Sequence, residues 1–542
     1  MPFACRLPHR CLRLLTALLV STLLGACASL PPRGAVPPTQ ALALADTERT
    51  TLALIAASSL QAATGLDATP GPPSAFRTLS NGEFALDARL TLARRAERSL
   101  DIQSYHLHPD RTGLALLREL RDAAARGVRV RLLVDDLHAA EVTPLLADLA
   151  RQPGVQVRLF GPLAMRQGAP LVRLLLSPGD FERHNHRMHN KLFIADNAFA
   201  LVGGRNIADE YFMGHAEANF IDLDLIAAGA LLPELSAVFD TYWNSEPAWP
   251  VQRVLGQPLE GLDADQVNAA RLNLAALGKV APSSLAERPG ATDALSQTSV
   301  HTQMQQGRLG LIAGSARVFA DPPSKATETV TRQTASTAMA GLLGVLAGAR
   351  QEAYIVSPYF LPGSLGLPMM TRAAQAGVRM VVFTNSMGTT DEPLVHLRYS
   401  SYRVAMLKLG VEIHELSPGQ TRRSLEGFGA STPRLHAKAA VVDRRQVLVG
   451  SVNLDARSAI ANTEMALAID SPGLARALSQ LMQHDITGTQ YRLRLAADGR
   501  TIEWISRDAQ GQETATRDEP DAGFWKGLVL WLQSLLVANR LL

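Results

Sequence analysis

Residues 189–206 and 436–453 carry one gapped pattern twice, and that repetition commits the chain to a duplicated architecture. The first copy reads His189-Asn190-Lys191, then Asp196, then Gly203-Gly204-Arg205-Asn206. The second reads His436-Ala437-Lys438, then Asp443, then Gly450-Ser451-Val452-Asn453. Landmarks around the pattern recur at a nearly constant offset: 253 at Ser104/Ser357, 250 at Gly127/Gly377 and 247 at the two histidines. A steady offset across separate landmarks marks a repeated domain and not a borrowed motif. At 542 residues the chain has room for two cores.

Between the landmarks the hydrophobic period switches between 3.6 and 2. Residues 83–98 suit a helix and 100–107 a strand. Residues 113–126 suit a helix closed by Gly127, and 128–134 and 155–160 read as further strands. Residues 353–359 repeat 100–106, so the second half follows the same order. The expected fold is α/β: two tandem domains, each a mixed β-sheet flanked by helices, related by a pseudo-two-fold axis and sharing one active site. In a strand His189 and Lys191 project from one face, and so do His436 and Lys438. Asp196 lies an odd number of positions from His189, so it should face away from the site or cap the turn. Gly203 and Gly204 leave space for a ligand near the backbone, and Asn206 can donate from its amide. Imidazole, ammonium and amide over small residues make a kit for handling phosphate.

The three cysteines, Cys5, Cys11 and Cys27, all fall within the first 27 residues, so no disulfide framework holds the body. Arginines precede an apolar run that ends at Leu24-Gly25-Ala26-Cys27, the layout of a secretory signal. That tetrapeptide resembles the lipobox of bacterial lipoproteins, which implies a lipidated Cys27 as the mature N-terminus. The expected location is the bacterial envelope, facing the periplasm, with the outer membrane favoured because Ala28 and not an acid follows the cysteine. Residues 1–26 hold three arginines and no acid, so 53 basic residues become 50 against 50 acidic ones after cleavage. A neutral body argues against indiscriminate nucleic-acid binding. The organisation expected is a signal at 1–26 and a tether and extension at 27–80. Domains at 81–255 and 311–485 are joined by a linker at 256–310. A C-terminal hairpin and apolar segment fill 486–542.

The two His-x-Lys-x4-Asp stretches resemble the signature of the phospholipase D superfamily, over roughly residues 80–480. Arg187-Met188-His189-Asn190-Lys191, Asp209-Glu210-Tyr211-Phe212, Tyr242-Trp243-Asn244-Ser245 and Asn462-Thr463-Glu464-Met465 are similar to bacterial cardiolipin synthases of the C type. The resemblance implies two phospholipase D-like domains and a catalytic set of His189, Lys191, Asp196, His436, Lys438 and Asp443. It also implies that Asp222 and Glu464 are carboxylate partners of the imidazoles. Asn206, Asn453, Gly204 and Ser451 then surround the phosphate. One imidazole would attack phosphorus and the other would serve as acid and base. The family points to His189 as nucleophile, a choice the symmetry of the sequence does not make. Two ammonium groups supply the positive field, so no metal or other cofactor is expected. His184, His186 and His189 form a tight cluster, but Lys191 opposes a cation there. His106 and His108 are candidates for the pocket wall or for plain structural roles. The implied partners are membrane phospholipids, namely phosphatidylglycerol and, for the C type, phosphatidylethanolamine, with no nucleic acid and no identified protein partner. The function the resemblance implies is phosphatidyl transfer that makes cardiolipin from phosphatidylglycerol and a second phospholipid through a phosphohistidine, with hydrolysis to phosphatidic acid as the alternative. The neutral body and lipoprotein leader disfavour nucleic-acid cleavage, and two complete motifs disfavour a non-catalytic scaffold.

Overall fold

The computed structural model describes residues 30–65, 73–164, 166, 185–257, 290–327, 337–424, 430–486, 488–507 and 511–522. The signal, Cys27, His184, much of the expected linker and the segment 524–542 lie outside them.

The first half contributes β1 (Ser74–Leu79), β2 (Ser99–Ser104), β3 (Arg129–Asp135), β4 (Val155–Phe160), β5 (Leu192–Ala195), β6 (Phe199–Gly203), β7 (Ala218–Ile221), β8 (Asp224–Gly229) and β9 (Ala248–Pro250). The second contributes β10 (Ile312–Ala320), β11 (Glu352–Val356), β12 (Arg379–Asn385), β13 (Glu412–Leu416), β14 (Thr432–Leu435), β15 (Ala439–Val442), β16 (Gln446–Gly450) and β17 (Met465–Asp470). After them come β18 (Gln490–Leu495), β19 (Ile502–Arg507) and β20 (Glu513–Thr516).

Pairing runs β9-β4-β3-β2-β5-β6-β8-β1, crosses to β10, and continues β17-β16-β15-β11-β12-β13-β18-β19-β20. The order on one side of the β1/β10 splice mirrors the order on the other. In each half three strands run parallel (β2, β3, β4 and β11, β12, β13) and the rest antiparallel. An antiparallel pair is itself two-fold, so pairing Ala75 with Ala313 puts the pseudo-axis at the splice. A second link is the parallel pair β7/β14, which joins Ala218–Ile221 to Thr432–Leu435 outside the large sheet.

Local sequence explains most of these elements. Asn81 caps the helix Gly82–Arg95 by accepting from the N–H groups of Glu83 and Phe84. Asp110 does the same for Arg111–Ala125, and Gly127, at φ +91°, ends that stretch. One apolar core, including Phe76, Ile194, Leu225, Val441, Leu467 and Leu478, draws on both halves, so they form one body.

One expectation changes here. Residues 27–80 hold more than a tether: they include the helix Thr51–Gln61 and the central strand β1. Residues 33–42 lie along the first half, with Arg33 donating to the carbonyls of Ser245 and Ala248, and Ala41 N–H to Asp240. Residues 209–219 are pinned by the short helical turn Asp209–Phe212 and by β7. The hairpin at β18/β19 pairs Leu495 with Ile502 across Asp498-Gly499 as read.

Candidate active site

Each histidine segment is held by the backbone of the opposite half. His189 N–H donates to Thr463 O and Thr463 N–H to Arg187 O, while His436 and Ala437 N–H both donate to Ile221 O. The residues after those anchors are Glu464 and Asp222. Consequently His189 Nδ1 meets Glu464 Oε2 at 2.9 Å, and His436 Nδ1 meets Asp222 Oδ2 at 2.7 Å. The carboxylate pairs are crossed between halves. With a carboxylate on Nδ1, that nitrogen carries the proton and Nε2 keeps its lone pair for chemistry.

The lysines sit in the same small volume. Lys191 Nζ donates to His189 O at 2.7 Å, and Lys438 Nζ contacts both His436 O and His436 Nδ1. All four groups are at least nine-tenths buried. Burial drives His189 down to about 4 against the pull of Glu464, and it brings Lys191 to about 7 and Lys438 to about 8. His436 is also lowered, first by burial and then by Lys438. Burial alone would raise the two carboxyls, but His436 and Lys438 hold Asp222 far below its ordinary value, and His189, Lys191 and Ser451 lower Glu464. The resting site therefore has ionised carboxylates, a neutral His189 and easily discharged lysines.

A pH dependence follows with a definite sign. Above pH 4 His189 is neutral, and as pH rises through about 7 to 8 the lysine charges that attract a phosphodiester are lost. The free-enzyme quantity kcat/KM should fall on the alkaline side of that window. A profile flat to pH 10 would show the lysines are not discharged.

Several residues carry roles different from those expected. Asp196 and Asp443 are outside the site. The Asp196 carboxylate accepts from the N–H groups of Glu97, Arg98 and Ser99 at 2.8–2.9 Å, and Asp443 accepts from those of Arg350, Gln351 and Glu352. Both stand in turns with positive φ, 49° and 50°, so they fix the β5/β6 and β15/β16 hairpins. Replacing Asp196 by Ala should cost about 2 kcal/mol or more in stability, since the buried Ser99 amide and the two part-buried amides of Glu97 and Arg98 lose one charged acceptor. Urea unfolding would read that loss; a collapse of kcat at unchanged stability would return Asp196 to the chemistry.

Gly204 is not a floor for ligand: a Cβ there would meet Asp222 Oδ1 at 2.2 Å, so the glycine makes room for the carboxylate. Its counterpart Ser451 donates its hydroxyl to Glu464. Asn206 donates to Tyr211 Oη at 2.8 Å, and the Oδ1 atoms of Asn206 and Asn453 are buried without a hydrogen-bond partner. One end of each amide is thus open to a bound group. His186 turns to the carbonyl of Lys325 (3.2 Å), and among the described residues no three His, Cys, Asp or Glu side chains are placed to hold a metal.

Other contributors escaped the reading of the sequence. Asp135, at the end of β3, pairs with Arg187 at 2.6 Å and accepts from Met188 N–H, which locks the segment leading into His189. An acid closing an apolar strand was the available signal. Tyr105 lies edge-on to His189 with centroids 5.0 Å apart, while Tyr211 and Phe220 flank His436 at 5.2 and 4.9 Å. His106 is held near 3 by burial and packs beside His138, so it belongs to the wall and not to the reacting set.

The family model described as "Cardiolipin synthase, PLD-like domain" matches residues 90–243 and 342–486. Cardiolipin synthase C of Escherichia coli (strain K12) is 35% identical over 472 residues, covering 84% of this chain and 94% of the relative. Cardiolipin synthase 2 of Staphylococcus epidermidis is 25% identical, over 75% of this chain and 67% of the relative. Among solved structures, phosphatidylserine synthase of Haemophilus influenzae Rd KW20 superposes with a TM-score of 0.51 at 15% identity, covering 81% of this chain and 91% of that one. That last likeness concerns the fold.

Proposed function

The chain belongs to the cardiolipin synthase family of phospholipase D-like proteins, and from that premise we infer that it is a phosphatidyltransferase forming cardiolipin from phosphatidylglycerol and a second phospholipid. The observation that carries this is the crossed pair of histidine–carboxylate couples around two buried lysines. His189 Nε2 attacks phosphorus, and the bond to the headgroup oxygen breaks while His436, which enters the reaction doubly protonated with Asp222 balancing its charge, gives that oxygen the proton from its Nε2. The acceptor hydroxyl then returns a proton to His436, attacks phosphorus, and displaces His189. Lys191 and Lys438 offset the charge that builds on the non-bridging oxygens. Glu464 and Asp222 stabilise each imidazolium and fix its orientation. Phosphatidylethanolamine is a further donor in this reading, releasing ethanolamine.

The proposed setting is the periplasmic side of the envelope, with Cys27 lipidated and the outer membrane favoured. Cys27 precedes the first described residue, Leu30, by only a few positions, and the chain from Arg33 is bonded to the body. An anchor there would hold the enzyme against the bilayer and not on a long leash.

Purified full-length protein on vesicles containing phosphatidylglycerol should yield more cardiolipin than phosphatidic acid by mass spectrometry. Phosphatidic acid as the main product would make it a hydrolase, and cleavage of nucleic acid without lipid turnover would defeat both readings. In cells Cys27→Ser should leave the protein unprocessed or release it from membranes; unchanged processing and acyl labelling would sink the anchor.

A further inference from the structure

Joining two phospholipids brings two anions to one site. The acceptor, phosphatidylglycerol, carries a phosphodiester of its own that does not react, tied to the attacking hydroxyl by a glycerol spacer. Lys191 and Lys438 are committed to the reacting phosphate. A transferase of this kind needs another cation within a headgroup's length, whereas a hydrolase does not.

The arginines around the site are mostly engaged. Arg187 is paired with Asp135 at 2.6 Å and Arg205 with Asp224 at 3.3 Å. Arg457 differs. It is half-buried on the short helix Ala456–Ile460, and its guanidinium makes no hydrogen bond or ion pair among the described residues. The next residue, Ser458, donates to Glu464 Oε1 at 2.8 Å, which ties the short helix that carries Arg457 to the Glu464–His189 couple. Tyr105 reaches the same place from the first half: its ring is against His189 and its hydroxyl is 3.1 Å from His138 Nε2. Burial pushes that hydroxyl up to about 12, and Arg457 is the charge that opposes the rise most. Two acids also lie near the guanidinium, Glu392 and Asp455. Burial raises both, Asp455 to about 6, and Asp455 is already engaged by Ser458 N–H at 2.7 Å.

Duplication does not account for this arginine. At the offset of 247 its counterpart is Glu210, so the catalytic groups are repeated while the charge at this position is reversed. We propose that Arg457, with the Tyr105 hydroxyl and His138, binds the unreacting phosphodiester of the acceptor lipid and so steers the phosphatidyl group to a lipid alcohol in preference to water. The spacer lets the acceptor hydroxyl reach His436 while its phosphate stays at Arg457. The assignment rests on the phosphatidyltransferase reading above and adds to it the place of the second lipid.

The test compares Arg457→Gln and Arg457→Lys with the unaltered full-length protein on phosphatidylglycerol vesicles, with ethanol added as a neutral competing acceptor. For Arg457→Gln the rate of cardiolipin formation should fall about 10- to 100-fold, with phosphatidylethanol formation kept within about threefold. Arg457→Lys should recover part of the cardiolipin rate, because it restores charge without the planar fork. A parallel fall of both products in both variants, or an unchanged cardiolipin rate, overturns the assignment. Absence of cardiolipin with the unaltered protein would defeat the parent reading, and this one with it, before any variant is made.

Discussion

Replacing either His189 or His436 by Ala should abolish phosphatidyl transfer, with a loss of about four orders of magnitude or more. The two imidazoles are set to serve one phosphorus: both are buried, and each is bound to the carboxylate that follows its own backbone anchor in the opposite half. Removing one takes away either the nucleophile or the proton carrier, and each is useless alone. The double variant should therefore be scarcely worse than either single. Appreciable activity with one histidine gone would mean two independent sites. The same variants assign roles. With His436 replaced, a phosphatidyl adduct trapped on His189 supports His189 as nucleophile; an adduct on His436 in the reciprocal variant reverses the roles.

Glu464→Gln and Asp222→Asn should each lower kcat by about 100- to 10,000-fold, the range seen when the carboxylate behind a catalytic imidazole loses its charge. The crossing makes these variants informative about geometry. Glu464 lies 275 positions from His189, in the half that carries the other histidine. Glu464→Gln should thus slow the step in which His189 becomes charged, and Asp222→Asn the steps in which His436 does. Rapid-quench measurement of adduct formation and breakdown separates the two. If Glu464→Gln altered only the steps belonging to His436, the carboxylates would be acting within halves and the crossed arrangement would be wrong. Folding is a smaller concern for Glu464, because Ser451 and Ser458 can still hydrogen-bond an amide at that position.

The repeat of His189/Lys191 at His436/Lys438, the strands, and the helices closed by Gly127 and Gly377 were all legible in the chain itself. These features rest on short-range rules: side-chain alternation in a strand, helical period, and glycine at a left-handed turn. Asp196 shows the same rules at work, since its odd spacing from His189 already turned it away from the site and toward the turn it caps. The family pattern around Glu464 and Asp222 also marked them as partners for imidazoles. It did not say which partner each would take, and spacing along the chain, with Asp222 nearer to His189 and Glu464 nearer to His436, invites the uncrossed choice. Only the tertiary structure decided it. Antiparallel pairing of β1 with β10 relates the halves by a two-fold. Backbone bonds from His189 to Thr463 and from His436 to Ile221 then set each histidine beside the other half's acid. Gly204 making room for Asp222, the locking of Arg187 by Asp135, and an Arg457 without an ion pair among the described residues belong to the same class. Each depends on which atoms meet across long sequence separations, and local propensity carries no term for that.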